Sequence, residues 1–181
     1  KIITKKRLEI IYLLNYYFKD QTFEDALDIG TTNDTSKSSN FIIKNLKNIK
    51  SYKSISNQRI NSQFFSKNLT KSITEDLTDK EIEDFKSELV ISNATIEHVG
   101  NFENQINMCK NIIKLSKKYF VISTPNRFHP IEFHTKLPLI HWLNKNLHRK
   151  ILKILKLNFL SKEENLNLLS QKDLVLIMKK L

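Results

Sequence analysis

Two apolar runs stand out along the chain. Leu89, Val90 and Ile91 stop at Ser92 and Asn93, while Tyr119, Phe120, Val121 and Ile122 stop at Ser123, Thr124, Pro125, Asn126 and Arg127. Short apolar runs bounded by polar residues read as buried strands. Between them Phe102, Ile106, Cys109, Ile112 and Ile113 recur at helical spacing, which predicts a β-α-β unit. In open α/β sheets ligands sit beyond the carboxyl ends of the strands, so these two polar ends are where chemistry is expected.

The rest of the pattern extends the same scheme. Leu8, Ile11, Tyr12, Leu14 and Phe18 predict a helix from Lys5 to Phe18. Phe23 to Ile29 reads as a strand ending at Gly30. The helix-capping types of residues 31–36 then open a helix striped by Phe41, Ile42, Leu46 and Ile49. Ser51 to Ser56 is a second strand, and a third falls somewhere within Gln63 to Leu77. Strands alternating with helices imply an α/β domain, a Rossmann-like and mostly parallel sheet with helices on both faces. From Pro130 onward Leu139, Ile140, Leu143, Leu147, Ile151, Leu152 and Leu155 recur at spacings of three and four among Lys and His. That is a basic amphipathic helical region, read as a cover for the sheet or as a membrane-surface helix.

Length favours a single domain over 1–181. Hydrophobic residues at 40% and charged residues at 27% are ordinary for a globular protein, and no apolar run approaches the roughly 20 residues that span a bilayer. The net charge of +11 raises nucleic acid or an anionic membrane as partners. Nucleic acid is not favoured. The excess is mostly Lys spread along the chain, and only Arg7, Arg59, Arg127 and Arg149 could bind phosphate bidentately. Peripheral membrane contact stays open, and the oligomeric state is not encoded. The lone Cys109 allows no internal disulfide and fits a reducing, cytoplasmic compartment.

Candidate chemistry follows from the strand ends. Asp28, Gly30, Thr31, Thr32 and Asp34 lie where the first strand turns into a helix, and a glycine there lets backbone approach a polar ligand closely. The chain holds two glycines, and one stands at this turn. The G-x-G-x-x-G fingerprint is missing, which argues against NAD or FAD, and a P-loop is missing as well. Asn126 and Arg127 read either as a grip on a carboxylate or phosphate or as a surface turn set by Pro125. His129, Glu132, His134 and His141 match no zinc spacing, so no metal site is assigned. They read as pocket lining or as structural hydrogen-bonding residues. Trp142 reads as core or pocket wall.

The order of these pieces resembles a class I S-adenosylmethionine-dependent methyltransferase, of the type 11-like group whose fourth strand runs into an EHV segment. The matching pieces are ALDIGTT at 26–32, SISNQ at 54–58, EDL at 75–77, ISNATIEHVGN at 91–101, VISTPNR at 121–127 and HPIEFHTKLPLIHWL at 129–143. The resemblance implies S-adenosylmethionine as cofactor. Asp28, Gly30, Thr31 and Thr32 would then surround its amino-acid part. Asn57 would take the place of the usual ribose-binding acid, Asp76 and Leu77 would lie by the adenine, and Asn93 and Ala94 near the sulfonium. Glu97 and His98 are candidates for a general base, needed only when the nucleophile must lose a proton, or else structural residues. Asn126, Arg127, His129, Glu132 and His134 would face a small-molecule or lipid acceptor. Thr32, Asp34 and Asn57 depart from the family pattern. A non-catalytic module of the same fold, using its basic helices on RNA or an anionic membrane, is the alternative. The chain also stops before the family's closing antiparallel strands, implying that these are missing.

Overall fold

The structure, a computed structural model, describes residues 2–33 and 40–181. Asp34 and the capping-rich residues 35 and 36 lie outside the described residues. The chain gathers into two compact units. The first comprises Lys1–Asn93 with Asn111–Ile122, and the second Ala94–Lys110 with Ser123–Leu181.

The first unit is built on a five-stranded sheet in the order β3-β2-β1-β4-β5. Its strands are β1 (Phe23–Ile29), β2 (Ile49–Ser56), β3 (Lys67–Thr70), β4 (Ser87–Asn93) and β5 (Ser116–Ser123). β1 runs parallel to both β2 and β4, and β2 runs parallel to β3. This is a Rossmann-like α/β sheet. The central strands carry the most apolar residues because both their faces are covered: Ala26, Leu27, Ile29, Leu89, Val90 and Ile91 are all buried. The edge strand β5 has no fully buried residue, and Lys117 and Lys118 are exposed on it.

Helix α1 (Ile2–Tyr17) buries Ile11 in a cluster with Phe18, Phe23, Ile42, Ile43 and Leu89. Phe18 and Phe23 meet edge to face at 5.2 Å, and Tyr119 of β5 closes on both rings. Helix α2 (Phe41–Asn45) is shorter than its stripe predicts. Leu46 turns extended and Asn48 takes a left-handed φ of 60°, so Ile49 opens β2 and does not extend the helix. The chain also forms a helix that periodicity did not reveal, α3 (Asp79–Phe85). Thr78 and Glu81 cap its start reciprocally: each side chain bonds the other's backbone N–H. Helix α4 (Phe102–Leu115) buries Ile106, Cys109 and Ile112, as its spacing predicts.

The second unit differs from expectation in continuity. The stripe from Leu139 to Leu155 does not form one helix. Leu139 adopts a left-handed φ of 61°, a single 3-10 turn spans Ile140–Trp142, and Asn144 caps a separate helix α5 (Lys145–Ile154). The break follows from Asn144, whose side chain accepts the N–H of Asn146 and so favours a helix start over continuation. A further helix, α6 (Gln171–Met178), begins at a Ser170–Asp173 capping box. Among the described residues no helix is long and apolar enough to cross a membrane.

Candidate functional site

In the first unit the register fixes which strand ends share an edge. Ile29 stands opposite Ile55 of β2 and Ser92 of β4, so Gly30, Ser56 and Asn93 follow on one side of the sheet. Strand order reverses between β1 and β4, the kind of switch point at which open α/β sheets bind ligands. Gly30 has a φ of 88°, open to glycine and costly for other residues, and its N–H donates to the Ile55 carbonyl at 3.0 Å. Next to it the Thr31 hydroxyl folds back and donates to the Asp28 carboxylate at 2.6 Å. Ser56 donates to the Thr31 carbonyl at 2.7 Å, which locks the turn to β2. Asn40 holds Thr32 from both sides, accepting its N–H at 3.0 Å and donating to its carbonyl at 2.9 Å. Burial raises the Asp28 carboxyl to about 6, against the Thr31 hydrogen bond.

Asn57 and Asp76 are exposed, and Leu77 is buried. The loop that carries Asp76 is pinned by Asn111, whose amide donates to the carbonyls of Ile73 and Glu75 at 2.7 and 2.8 Å. A hollow of about 210 Å³ lined by Asn15, Phe18, Phe23, Ile49 and Leu89 opens at the amino-terminal ends of the strands. That edge is opposite the candidate residues, so it is no part of this site.

The second unit holds the rest of the candidates. Ala94 has a left-handed φ of 52°, and its N–H donates to Ser123 at 2.7 Å. Glu97 and His98 end a 3-10 turn, Ile96–His98. Glu97 is fully buried. One of its oxygens accepts the Thr124 hydroxyl at 2.8 Å, and the other, Oε1, has no hydrogen-bond partner. Burial raises its carboxyl, against the charge of His98 and the Thr124 hydrogen bond. The exposed His98 donates from Nδ1 to the Asn165 carbonyl at 2.6 Å. Its Nε2 lies 3.1 Å from Nε2 of His134, which in turn lies 3.9 Å from Glu97 Oε1. His134 donates from Nδ1 to Glu132 at 2.6 Å.

Glu132 is a hub. Its carboxylate also takes the N–H groups of His134 and Thr135, at 2.8 and 2.6 Å. Burial alone would raise it, but these partners bring it down to about 2. Burial also works to lower the His134 ring, and the Glu132 hydrogen bond and charge outweigh it. Arg127 points its guanidinium at the carbonyls of His141 and Leu143, at 3.1 and 2.7 Å. Asn126 accepts the N–H of Phe128, and the His129 carbonyl takes the ring of His141 at 2.6 Å. The structure thus brings Glu97, His98, Glu132 and His134 together. Asn126, Arg127 and His129 instead hold the following loop.

No family model matches the chain, and no curated protein does. Solved structures do match. The cyclopropane-fatty-acyl-phospholipid synthase-like protein of Lactobacillus casei superposes with a TM-score of 0.56 at 11% identity, over 99% of this chain and 68% of that one. The fold is that of class I S-adenosylmethionine-dependent methyltransferases. Coclaurine N-methyltransferase, bound to N-methylheliamine and S-adenosylhomocysteine, superposes with a TM-score of 0.50 at 10% identity, over 94% of this chain and 48% of its own. The N-methyltransferase NodS of Bradyrhizobium japonicum is similar with a TM-score of 0.48 at 11% identity, over 66% of this chain and 60% of its own. The chain therefore spans from 48% to 68% of the lengths of these three proteins.

Within this methyltransferase fold, sequence reasoning missed one arrangement. The meeting of Glu97 and His98 with His134, 36 positions on in the chain from His98, leaves no spacing signature. Only the adjacency of an acid and a histidine just past a strand end pointed toward it.

Proposed function

We propose that this chain takes part in S-adenosylmethionine-dependent methyl transfer to a small-molecule or lipid acceptor. The observation that carries the reading is the register that sets Gly30, Ser56 and Asn93 at one carboxyl edge, beside the reversal of strand order. The residues suit a nucleoside-bearing ligand: a bare Cα at Gly30, and exposed hydrogen-bonding side chains at Asn57 and Asp76.

When bound, the cofactor supplies a methyl group already activated on a sulfonium. The chain's own task is to hold donor and acceptor in line and to exclude water. Gly30, Thr31 and Thr32 would receive the amino-acid part, with Asp28 fixing the turn through Thr31. Asn57 would bind the ribose as a neutral partner, Asp76 and Leu77 would flank the base, and Asn93 and Ala94 would adjoin the sulfonium. Glu97 and His98 would take up a proton where the acceptor must lose one. Asn126, Arg127, His129, Glu132 and His134 would shape the acceptor side, Arg127 by fixing its loop.

A second reading also has an observation behind it. Helix α5 carries Lys145, Arg149, Lys150 and Lys153, and Leu147 and Ile154 are exposed on it. A basic helix with exposed apolar residues suits an anionic membrane surface. Isothermal titration of the full chain with S-adenosylmethionine and S-adenosylhomocysteine separates the two. Methyl transfer requires both to bind, and requires Gly30→Val to weaken them at least about tenfold. If neither binds at high micromolar concentration while anionic vesicles or RNA bind with steep salt dependence, the chain is a non-catalytic module.

A further inference from the structure

The two imidazoles of His98 and His134 face each other through Nε2 at 3.1 Å, and each has its other nitrogen engaged by a fixed acceptor. His98 Nδ1 donates to the Asn165 carbonyl and His134 Nδ1 to the Glu132 carboxylate, both at 2.6 Å. With Nδ1 as the donor on both rings, the two Nε2 atoms are left directed into the same small space. Into that space also faces Glu97 Oε1, fully buried and without a hydrogen-bond partner. A buried carboxylate oxygen left unpaired is costly, and its nearest cationic candidate, His134 Nε2, is 3.9 Å away. The three donor atoms lie within 4.8 Å of one another.

We infer that Glu97, His98 and His134 form a binding site for a divalent transition-metal ion of zinc-like preference. Two imidazoles and one carboxylate are donors that suit such ions better than magnesium or calcium, which prefer oxygen. A tetrahedral ion with bonds of about 2.0–2.1 Å places its donors roughly 3.4 Å apart. The two His134 separations, 3.1 and 3.9 Å, bracket that value and the remaining pair lies within 4.8 Å, so side-chain rotations that draw His98 and Glu97 together close the site. The surroundings are those of a metal centre as well. A carboxylate behind His134 and a carbonyl behind His98 fix the tautomer that presents Nε2 to the ion. Thr124 orients Glu97 by bonding its second oxygen. Three protein ligands, with His98 exposed, leave a coordination position open to water or another ligand. With an ion in place, Glu97 and His98 act by holding it and not by accepting a proton. The inference gives Glu97, His98 and His134 a different task from the methyl-transfer reading. It uses none of Gly30, Asn57 or Asp76, which belong to the other compact unit, so metal uptake is measured independently of cofactor binding.

Equilibrium dialysis of the full chain against zinc and cobalt(II), with the cobalt absorption spectrum as second readout, tests it. One equivalent of either ion is expected, with visible bands of a low-coordinate cobalt centre. His98→Ala, at an exposed position that leaves folding intact, abolishes both signals. Glu132→Gln, behind a ligand, weakens binding about 10–100-fold. Absence of stoichiometric uptake by the parent overturns the inference, because the imidazole pair then shares a proton. Uptake unchanged in His98→Ala and Glu97→Gln overturns it too.

Discussion

Asp28 and Thr31 are joined by a 2.6 Å hydrogen bond inside the turn that ends β1, with the carboxylate buried and the hydroxyl its donor. One donor does not offset the loss of water, so burial raises the Asp28 carboxyl to about 6 from its ordinary 3.8. The folded chain therefore holds a proton between those values that the unfolded chain has released. The Asp28 contribution to stability falls as pH rises through that window and stays low above it. Its cost at neutral pH is on the order of 3 kcal/mol. Asp28→Asn, which keeps an acceptor for Thr31, is expected to be more stable than the parent at pH 7 to 8 and to lose that advantage near pH 4. Urea unfolding of both proteins across this range checks the sign.

Thr31→Val removes the one side-chain donor to that carboxylate among the described residues. A loss of about 1–3 kcal/mol at neutral pH is expected, shrunken by pH 4 because the folded carboxyl takes up its proton at about 6. Equal losses at both pH values would mean that the hydroxyl acts by packing alone.

The α3 cap supplies a local test. Thr78 accepts the N–H of Glu81 at 3.2 Å, and the Glu81 carboxylate takes the N–H of Thr78 at 2.8 Å. Thr78→Ala should cost about 1 kcal/mol, and Thr78→Ser very little, in thermal or urea unfolding. A silent Thr78→Ala would show that packing of Phe85, and not the cap, holds the helix.

Phe23 opens β1 at 1% exposure against Phe18 and Tyr119. Phe23→Ala leaves a cavity among rings that cannot collapse onto each other, so a loss of about 3–5 kcal/mol is expected. Phe23→Leu should cost clearly less, by the same measurement.

Periodicity made the strands legible because the central ones are buried on both faces and bounded by polar ends, as at Leu89–Asn93 and Phe23–Gly30. It failed where a local conformation overrode the stripe. Asn48 reverses the chain before Ile49, and Asn144 starts a new helix inside what reads as a longer one. Helices α3 and α6 are too short for an apolar stripe to show, although Thr78–Glu81 and Ser170–Asp173 carry the cap signal that would have found them. Glu97 and His98 were visible as polar residues beyond a strand. His134 was singled out too, but its meeting with them was not legible, because a contact between segments 36 positions apart is set by tertiary packing.

A crystal structure of the full chain with S-adenosylhomocysteine tests the central claim most directly. The account predicts the ligand at the carboxyl edge of β1 and β4, in van der Waals contact with Gly30 and within hydrogen-bond reach of Asn57 or Asp76. A ligand bound anywhere else, or a chain that leaves it unbound at saturating concentration, would contradict it.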